Sequence, residues 1–125
     1  MEWTFDRYRD PDYFRITTAG VFEVPTLVKM FAELREAEGW APDIPLLFDN
    51  RKIDMQGDFA EMQKSSRVLD DFISGGGAVR VASLMGSPAD FGRSRQIITM
   101  MGAESDAFAV ETFYDEAEAM KWLLK

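Results

Sequence analysis

The chain contains no cysteine and no histidine. Without cysteine there is no disulfide, no thiolate nucleophile and no thiolate metal site, and such a composition fits a reducing compartment. Without histidine, the most frequent general base and the most frequent metal ligand are both missing. The two absences exclude serine–histidine triads, cysteine–histidine dyads and histidine zinc sites. Any chemistry would depend on carboxylates, lysine, arginine or hydroxyl groups.

Basic residues are also scarce, with 14 Lys and Arg against 22 Asp and Glu and a net charge of −8 at pH 7. A nucleic-acid-binding protein needs a basic stripe that neutralises phosphates, and binding to an anionic membrane surface needs basic segments. The scarcity of basic residues disfavours both kinds of partner. No apolar run approaches the roughly 20 residues that a membrane-spanning helix needs. The first residues, Met1 to Phe5, show no signal-peptide pattern. We therefore expect a cytoplasmic protein with no nucleic-acid partner and no transmembrane segment.

The rest of the composition is that of an ordinary globular protein, with 46% hydrophobic and 29% charged residues. A chain of 125 residues fits one domain, and it buries roughly two-thirds of the surface that its unfolded form exposes. The sequence has no linker, repeat or low-complexity segment. We predict a single domain over residues 1–125.

Alternation of apolar and polar residues predicts two strands at 2–8 and 13–19. Pro11 and its acidic neighbours supply turn chemistry between them, so the two strands form a hairpin. A helix follows from Val24-Pro25, because proline is tolerated in a first helical turn. Gly39 is expected to end this helix in the C′ position.

The remaining elements alternate between strands and helices. The ranges predicted for them are 44–49, 57–74, 78–85, 87–102, 108–113 and 115–123. The glycines at 75–77 are expected to stop one helix, and Ser87 is expected to cap the next. The helical spacing points a set of side chains inward: Phe59, Met62, Ser66, Leu69, Ile73, Phe91, Ser94, Ile98, Met101, Ala119, Trp122 and Leu123.

The predicted order is β-β-α-β-α-β-α-β-α. Strands that alternate with helices indicate an α/β fold with a mixed, mostly parallel sheet and helices on both faces. The opening hairpin adds an antiparallel strand, although the order of the strands in the sheet does not follow from the sequence.

This pattern resembles the STAS (anti-sigma-factor-antagonist-like) proteins, in particular the bacterial group described as stage II sporulation protein AA-like. The resemblance rests on the hairpin, on Leu46-Leu47-Phe48-Asp49, on Val79-Arg80-Val81-Ala82 and on the closing segment from Phe113 to Leu123. It covers nearly the whole chain and implies a STAS-like fold. The same fold is similar to CRAL-TRIO lipid-transfer domains, so the fold alone does not select a function.

The phosphorylated STAS-like proteins carry a serine and a glycine after the aspartate of the corresponding strand. That serine accepts phosphate from a partner kinase. Here Asp49 matches the aspartate, but Asn50 and Arg51 follow it. The acceptor hydroxyl is absent at the matching position, so a phosphoserine switch is not predicted.

Ligands of open α/β sheets bind beyond the carboxyl ends of the strands. Asp49, Asn50 and Arg51 follow one predicted strand, while Ser87 and Arg93 open the helix after the next one. We predict these five residues to contact a small polar or anionic ligand or a protein partner. The alternative is that Asp49 and Asn50 hold a turn, Ser87 only caps a helix and the arginine is solvated, and it is favoured because caps are common and sites are few.

Other candidate metal and catalytic sites have weaker support in the sequence. Asp49, Asp54 and Asp58 offer oxygen ligands for a divalent cation, but their spacing fits no known loop. Lys64 and Ser65 are adjacent on a helix and therefore point about 100° apart, which excludes lysine-activated serine chemistry. We predict no catalytic residue, no metal site and no cofactor.

Two functions remain open. The first hypothesis is a non-enzymatic regulatory module that binds another protein through residues 50–59 and the following helix, as the resemblance implies. The second is a carrier or sensor of a small apolar or amphipathic ligand, because the chain has eight methionines and flexible thioethers suit adaptable pockets. An uncovered strand of the hairpin could also pair with a second copy and form a homodimer.

Overall fold

A computed structural model of the chain describes residues 1–55, 58–77, 80–100 and 109–125. The strands in these residues are β1 (Glu2–Tyr8), β2 (Tyr13–Val21), β3 (Leu46–Asp54), β4 (Arg80–Met85) and β5 (Ala109–Phe113). The α-helices are α1 (Val24–Arg35), α2 (Phe59–Phe72), α3 (Pro88–Met100) and α4 (Glu116–Leu123), and a π-helical turn, Ile73–Gly77, continues α2. Parts of several predictions, at residues 57, 78–79, 101–102 and 108, lie outside the described residues.

The strands form one sheet in the order β1-β2-β3-β4-β5. β1 is antiparallel to β2, with Phe5 opposite Ile16, and the other neighbouring pairs are parallel. The predicted mixed, mostly parallel α/β fold is confirmed. Because the parallel strands share a direction, the carboxyl ends of β2, β3, β4 and β5 lie at one edge of the sheet.

Strand alternation gives the sheet two faces with different covers. Phe14, Ile16 and Phe48 lie on the face that packs against α1 and α2, and α3 packs on the same side near Met85. We call this the α1–α3 face. Leu47 and Leu84 point to the opposite side, where α4 packs, and we call this the α4 face.

The third strand is longer than predicted. Lys52, Ile53 and Asp54 of β3 pair with the last residues of β2, Ala19 to Val21, after a register shift between Thr17 and Ala19. Residues 50–54 are therefore strand and not a loop. Local patterning missed this extension because it depends on pairing with residues more than thirty positions away.

The first helix ends earlier than predicted. The N–H groups of Glu36 and Ala37 donate to the carbonyls of Glu33 and Leu34, and this tighter i to i+3 pattern closes the last turn. Gly39, with φ +85°, lies three residues beyond the cap at Glu36. The prediction that Gly39 occupies the C′ position is wrong.

The inward positions of the later helices are only partly as predicted. Ser66, Ile73, Ser94, Ala119 and Leu123 are buried. Phe59 is 59% exposed, so its predicted inward orientation is wrong. It is the first residue of α2, where the helix has not yet reached the sheet.

The glycines at 75–77 lie within the π-helical turn that continues α2, so the helical segment runs through them and does not stop before them. None of the helices in the described part of the chain is long and apolar enough to cross a membrane.

Candidate functional site

Asp49 and Asn50 are consecutive residues of β3, and strand alternation sends their side chains to opposite faces of the sheet. Asn50 lies on the α1–α3 face. Asp49 and Arg51 lie on the α4 face. The residues that the sequence groups as one site therefore belong to two separate environments.

On the α4 face, Asp49 joins Arg15, Arg51 and Glu116 in a group that we call the charged cluster. Arg15 Nη2 and Arg51 Nη2 each lie 2.8 Å from Asp49 Oδ2, and Arg51 Nε donates to Asp49 Oδ1 at 2.9 Å. Glu116 Oε1 lies 2.6 Å from Arg15 Nη2 and 3.4 Å from Arg51 Nη2. Since Glu116 is the first residue of α4, the cluster connects that helix to β2 and β3.

The electrostatics of the charged cluster keep Asp49 and Arg15 ionised at neutral pH. Hydrogen bonds from Arg51 and Arg15 lower the pKa of Asp49 to about 2, against the opposing effect of burial. Burial lowers the pKa of Arg15, but hydrogen bonds to Glu116 and Asp49 outweigh it and leave that pKa above its usual value. A carboxylate with so low a pKa is a poor general base at neutral pH, so the cluster suits structure or recognition.

On the α1–α3 face, the structure contains a cavity of about 90 Å³ between the sheet and its three helices. Most of its lining is apolar. Representative apolar residues of the lining are Met30, Phe48, Met55, Leu69, Ile97 and Val110. Its polar lining comprises Thr18, Asn50, Ser65, Ser83 and Ser94. A mainly apolar wall with a few placed polar groups is typical of small-molecule sites.

Three of these polar residues form a hydrogen-bonded chain across β2, β3 and β4, which we call the polar ladder. The Thr18 hydroxyl donates to Asn50 Oδ1, and Asn50 Nδ2 donates to Ser83 Oγ at 3.1 Å. Ser83 Oγ in turn donates to Met85 Sδ at 3.3 Å. The ladder forms because each of the three residues is at an inward position of its strand, on the α1–α3 face.

Two further hydroxyl groups lie between α3 and β5. The Ser94 and Thr112 hydroxyls hydrogen-bond to each other at 2.9 Å, and both residues are buried. Ser65 differs, because its hydroxyl donates back to the Glu61 carbonyl within α2.

Ser87 and Arg93 belong neither to the charged cluster nor to the polar ladder. The Ser87 hydroxyl accepts from the Asp90 N–H at 3.2 Å, which is the predicted helix cap. The Arg93 guanidinium donates to the Met55 carbonyl and lies 3.7 Å from Asp90 Oδ1. Because Met55 lines the cavity, this hydrogen bond from Arg93 helps to position one part of the cavity wall. A direct contact of Ser87 or Arg93 with a ligand stays a prediction.

The sequence did not point to most of the residues in the charged cluster and the polar ladder. Thr18 and Ser83 could have been found, since each is a polar residue at an inward position of an apolar strand. Arg15 and Glu116 are 101 positions apart in the chain, and no local pattern links them. Within the described ranges, no group of three or more Asp or Glu side chains is arranged to hold a metal ion.

Comparison with known proteins concerns the fold. No protein-family model matches the chain, and no curated protein matches its sequence. The crystal structure of an uncharacterised protein of the DUF3478 family from Shewanella loihica PV-4, described as having a SpoIIAA-like fold, matches with a TM-score of 0.62. The match covers 98% of this chain and 92% of that chain at 18% sequence identity. This chain has a SpoIIAA-like fold.

The SpoIIAA-like fold confirms the resemblance that the sequence indicates. At 18% identity the likeness concerns the fold alone, and the function has to be argued from the cavity and the charged cluster.

Proposed function

We propose that this SpoIIAA-like chain is a non-enzymatic module that binds a small molecule with an apolar body and one polar group. The observation that carries the proposal is the cavity of about 90 Å³ on the α1–α3 face. Methionine and aromatic side chains supply an adaptable apolar wall, and the polar ladder supplies a place where the ligand is oriented.

The available chemistry supports binding over catalysis. The chain has no histidine or cysteine, and the polar groups that line the described cavity are hydroxyls and one amide. Such groups orient a ligand but exchange protons poorly near neutral pH. Among the described residues, the carboxylate with a strongly lowered pKa is Asp49, and it lies on the opposite face of the sheet.

The first test is native mass spectrometry of gently purified protein, compared with its denatured mass. We expect an additional mass that disappears on denaturation. Re-addition of the released compound at 100 times its Kd should stabilise the protein by about 2.7 kcal/mol, a rise in melting temperature of about 10 °C. A protein that carries no additional mass and that no small molecule stabilises would contradict the proposal.

A pair of matched variants locates the site. Val110→Phe places a larger side chain against the cavity, whereas Val28→Phe makes the same change at a position of α1 that is 52% exposed. We expect Val110→Phe to weaken ligand binding at least tenfold and Val28→Phe to leave it within twofold. Equal effects of the two variants would place the ligand elsewhere.

A protein partner remains the second candidate function, and exposed side chains near the carboxyl ends of the strands favour it. Phe59 is 59% exposed at the start of α2, and the Arg51 side chain is 44% exposed on β3. Exposed aromatic and arginine side chains are frequent energetic centres of interfaces. This surface overlaps the segment that the sequence predicts for partner binding.

The partner hypothesis is tested by capture from a bacterial lysate with Arg51→Glu and Phe59→Ala as baits. Tyr8→Ala, which removes an aromatic side chain that is 42% exposed on β1, is the matched control. We expect the first two variants to lose a partner that the wild-type and control baits retain. An unchanged set of captured proteins would show that this surface is not the interface.

A further inference from the structure

The side chains that line the cavity in the described part of the chain are uncharged. No Asp, Glu, Lys or Arg occurs among the described residues of its lining. Asp49 and Arg51 flank Asn50 in the sequence, but strand alternation turns both toward the α4 face. There they are paired with each other and with Arg15 and Glu116. The charges nearest to Asn50 along the chain are therefore already compensated on the far side of the sheet.

The polar ladder keeps hydrogen-bonding capacity after its internal bonds are made. A side-chain amide has two N–H groups and an oxygen with two lone pairs. Asn50 uses one lone pair to accept from Thr18 and one N–H to donate to Ser83. Within the described part of the chain, the second N–H and the second lone pair of Asn50 have no hydrogen-bond partner. The ladder can thus donate one hydrogen bond and accept another, which suits a hydroxyl, carbonyl or amide group.

An ionised ligand group fits this environment poorly. Moving a carboxylate or an ammonium group from water into an apolar site is costly unless an opposite charge and several hydrogen bonds compensate it. The described side chains of the lining offer no counter-charge, and their polar groups are hydroxyls and one amide. A neutral polar group needs only the one or two hydrogen bonds that Asn50 can supply.

We propose that the cavity selects small neutral molecules whose hydroxyl, carbonyl or amide group bonds to Asn50, and that it rejects carboxylates and amines of the same size. This inference rests on the proposed function. A cavity of about 90 Å³ is smaller than the roughly 150 Å³ engineered cavity that holds benzene, which indicates a buried part of about four non-hydrogen atoms. The short apolar tail lies against Met30, Phe48 and Val110.

The test is a titration of the full-length protein, at pH 7, with five compounds that have the same chain length. These are 1-butanol, 2-butanone, butanamide, butyrate and butylammonium. The readout is the NMR signal of the Asn50 side-chain amide, identified by its loss in Asn50→Leu. We expect the three neutral compounds to shift this signal to saturation and the two ions to bind at least tenfold more weakly.

A second variant reverses the selection. Asn50→Asp places a carboxylate in the ladder, so we expect butylammonium to bind at least tenfold more tightly than to the wild type and butyrate to bind no better. Backbone amide shifts report binding in this variant. If Asn50→Asp does not fold, the titration of the wild-type protein with the five compounds is by itself the test of this proposal.

The outcomes separate the two proposals. If none of the five compounds binds, the proposed function fails and this inference fails with it. If butyrate or butylammonium binds the wild type as tightly as 1-butanol, the inference is overturned while the cavity remains a binding site. Tighter binding of the neutral compounds, together with a gain for butylammonium in Asn50→Asp, supports both proposals.

Discussion

Two neighbouring residues show how strongly position on a strand determines chemistry. Asp49 and Asn50 differ by one atom type in the side chain and are consecutive in β3. Asp49 is held by two arginines and has its pKa lowered to about 2, whereas Asn50 belongs to the neutral polar ladder. The sequence identifies both as candidates, but only the pairing of β3 with its neighbours assigns them to different faces.

Asp49 should contribute to stability in a pH-dependent way. Its pKa is depressed in the folded state, so its contribution is complete above the unfolded-state pKa of about 4 and is lost as the pH falls from about 4 to about 2. A pKa lowered from 3.8 to about 2 corresponds to about 1–2 kcal/mol, after allowance for solvent screening at the 44% exposed Arg51 side chain. Asp49→Asn should be less stable than the wild type by this amount at pH 7.

The measurement is urea unfolding of both proteins at pH 7, 4, 3 and 2.5, with the exposed acid Glu38 changed to Gln as the matched control. The stability gap between wild type and Asp49→Asn should fall to about half by pH 3. Glu38→Gln should show a smaller gap at pH 7. A gap for Asp49→Asn that does not change with pH would mean that the ion pairs are not the source of its effect.

At the scale of the elements, the end of β4 lies unusually close to the backbone of β3. A Cβ atom on Gly86 would lie 2.4 Å from the carbonyl oxygen of Arg51. Backbone atoms cannot move aside as a side chain does, so this position requires glycine. The contact keeps the carboxyl end of β4 against Arg51 of β3, beside both Asn50 and the charged cluster.

Two glycine-to-alanine changes should therefore have opposite effects. Gly86→Ala should lower the free energy of unfolding by about 2 kcal/mol or more, because the new methyl group collides with the Arg51 carbonyl. Gly92→Ala is the control in α3, where a Cβ would meet nothing within 4 Å, and it should stabilise the protein by about 0.5–1 kcal/mol. Urea unfolding measures both, and a neutral Gly86→Ala would show that the two strands can separate at little cost.

The helices and strands also show which features of a fold a sequence can predict. The hairpin, the start of α1 and the cap at Ser87 depend on local chemistry, and the structure confirms them. The extension of β3 depends on its pairing with residues of β2 that are more than thirty positions away. Local sequence patterns contain no information about such contacts. For the same reason, the pairing of Arg15 with Glu116 does not follow from the sequence.

At the scale of the whole molecule, the sheet has a free edge. Among the described strands, β1 pairs with β2 alone, so the other side of its seven residues has backbone groups available for a second copy. A homodimer through β1 stays a prediction of the sequence. Native mass spectrometry gives the subunit count, and hydrogen exchange should then slow in β1 at high protein concentration. A monomer at all concentrations would contradict it.

The sheet also separates the cavity from Arg51, one of the two residues proposed for partner binding. The cavity lies on the α1–α3 face and Arg51 lies in the charged cluster on the α4 face, so ligand binding and the contribution of Arg51 to partner binding should respond to different residues. Asn50→Leu removes the amide of the polar ladder at similar volume, whereas Arg51→Gln removes a charge from the cluster one residue further along β3. Loss of a ligand hydrogen bond costs about 1.4 kcal/mol, which is about tenfold in Kd.

We therefore expect Asn50→Leu to raise the Kd of 1-butanol about tenfold without loss of any captured protein. Arg51→Gln should leave that Kd within twofold and weaken capture of a partner. NMR titration and lysate capture on the same two preparations, at a temperature where both are folded, measure the four combinations. If both variants changed both readouts equally, the two faces would be coupled through β3, and a single site that spans the strand would replace the two proposed here.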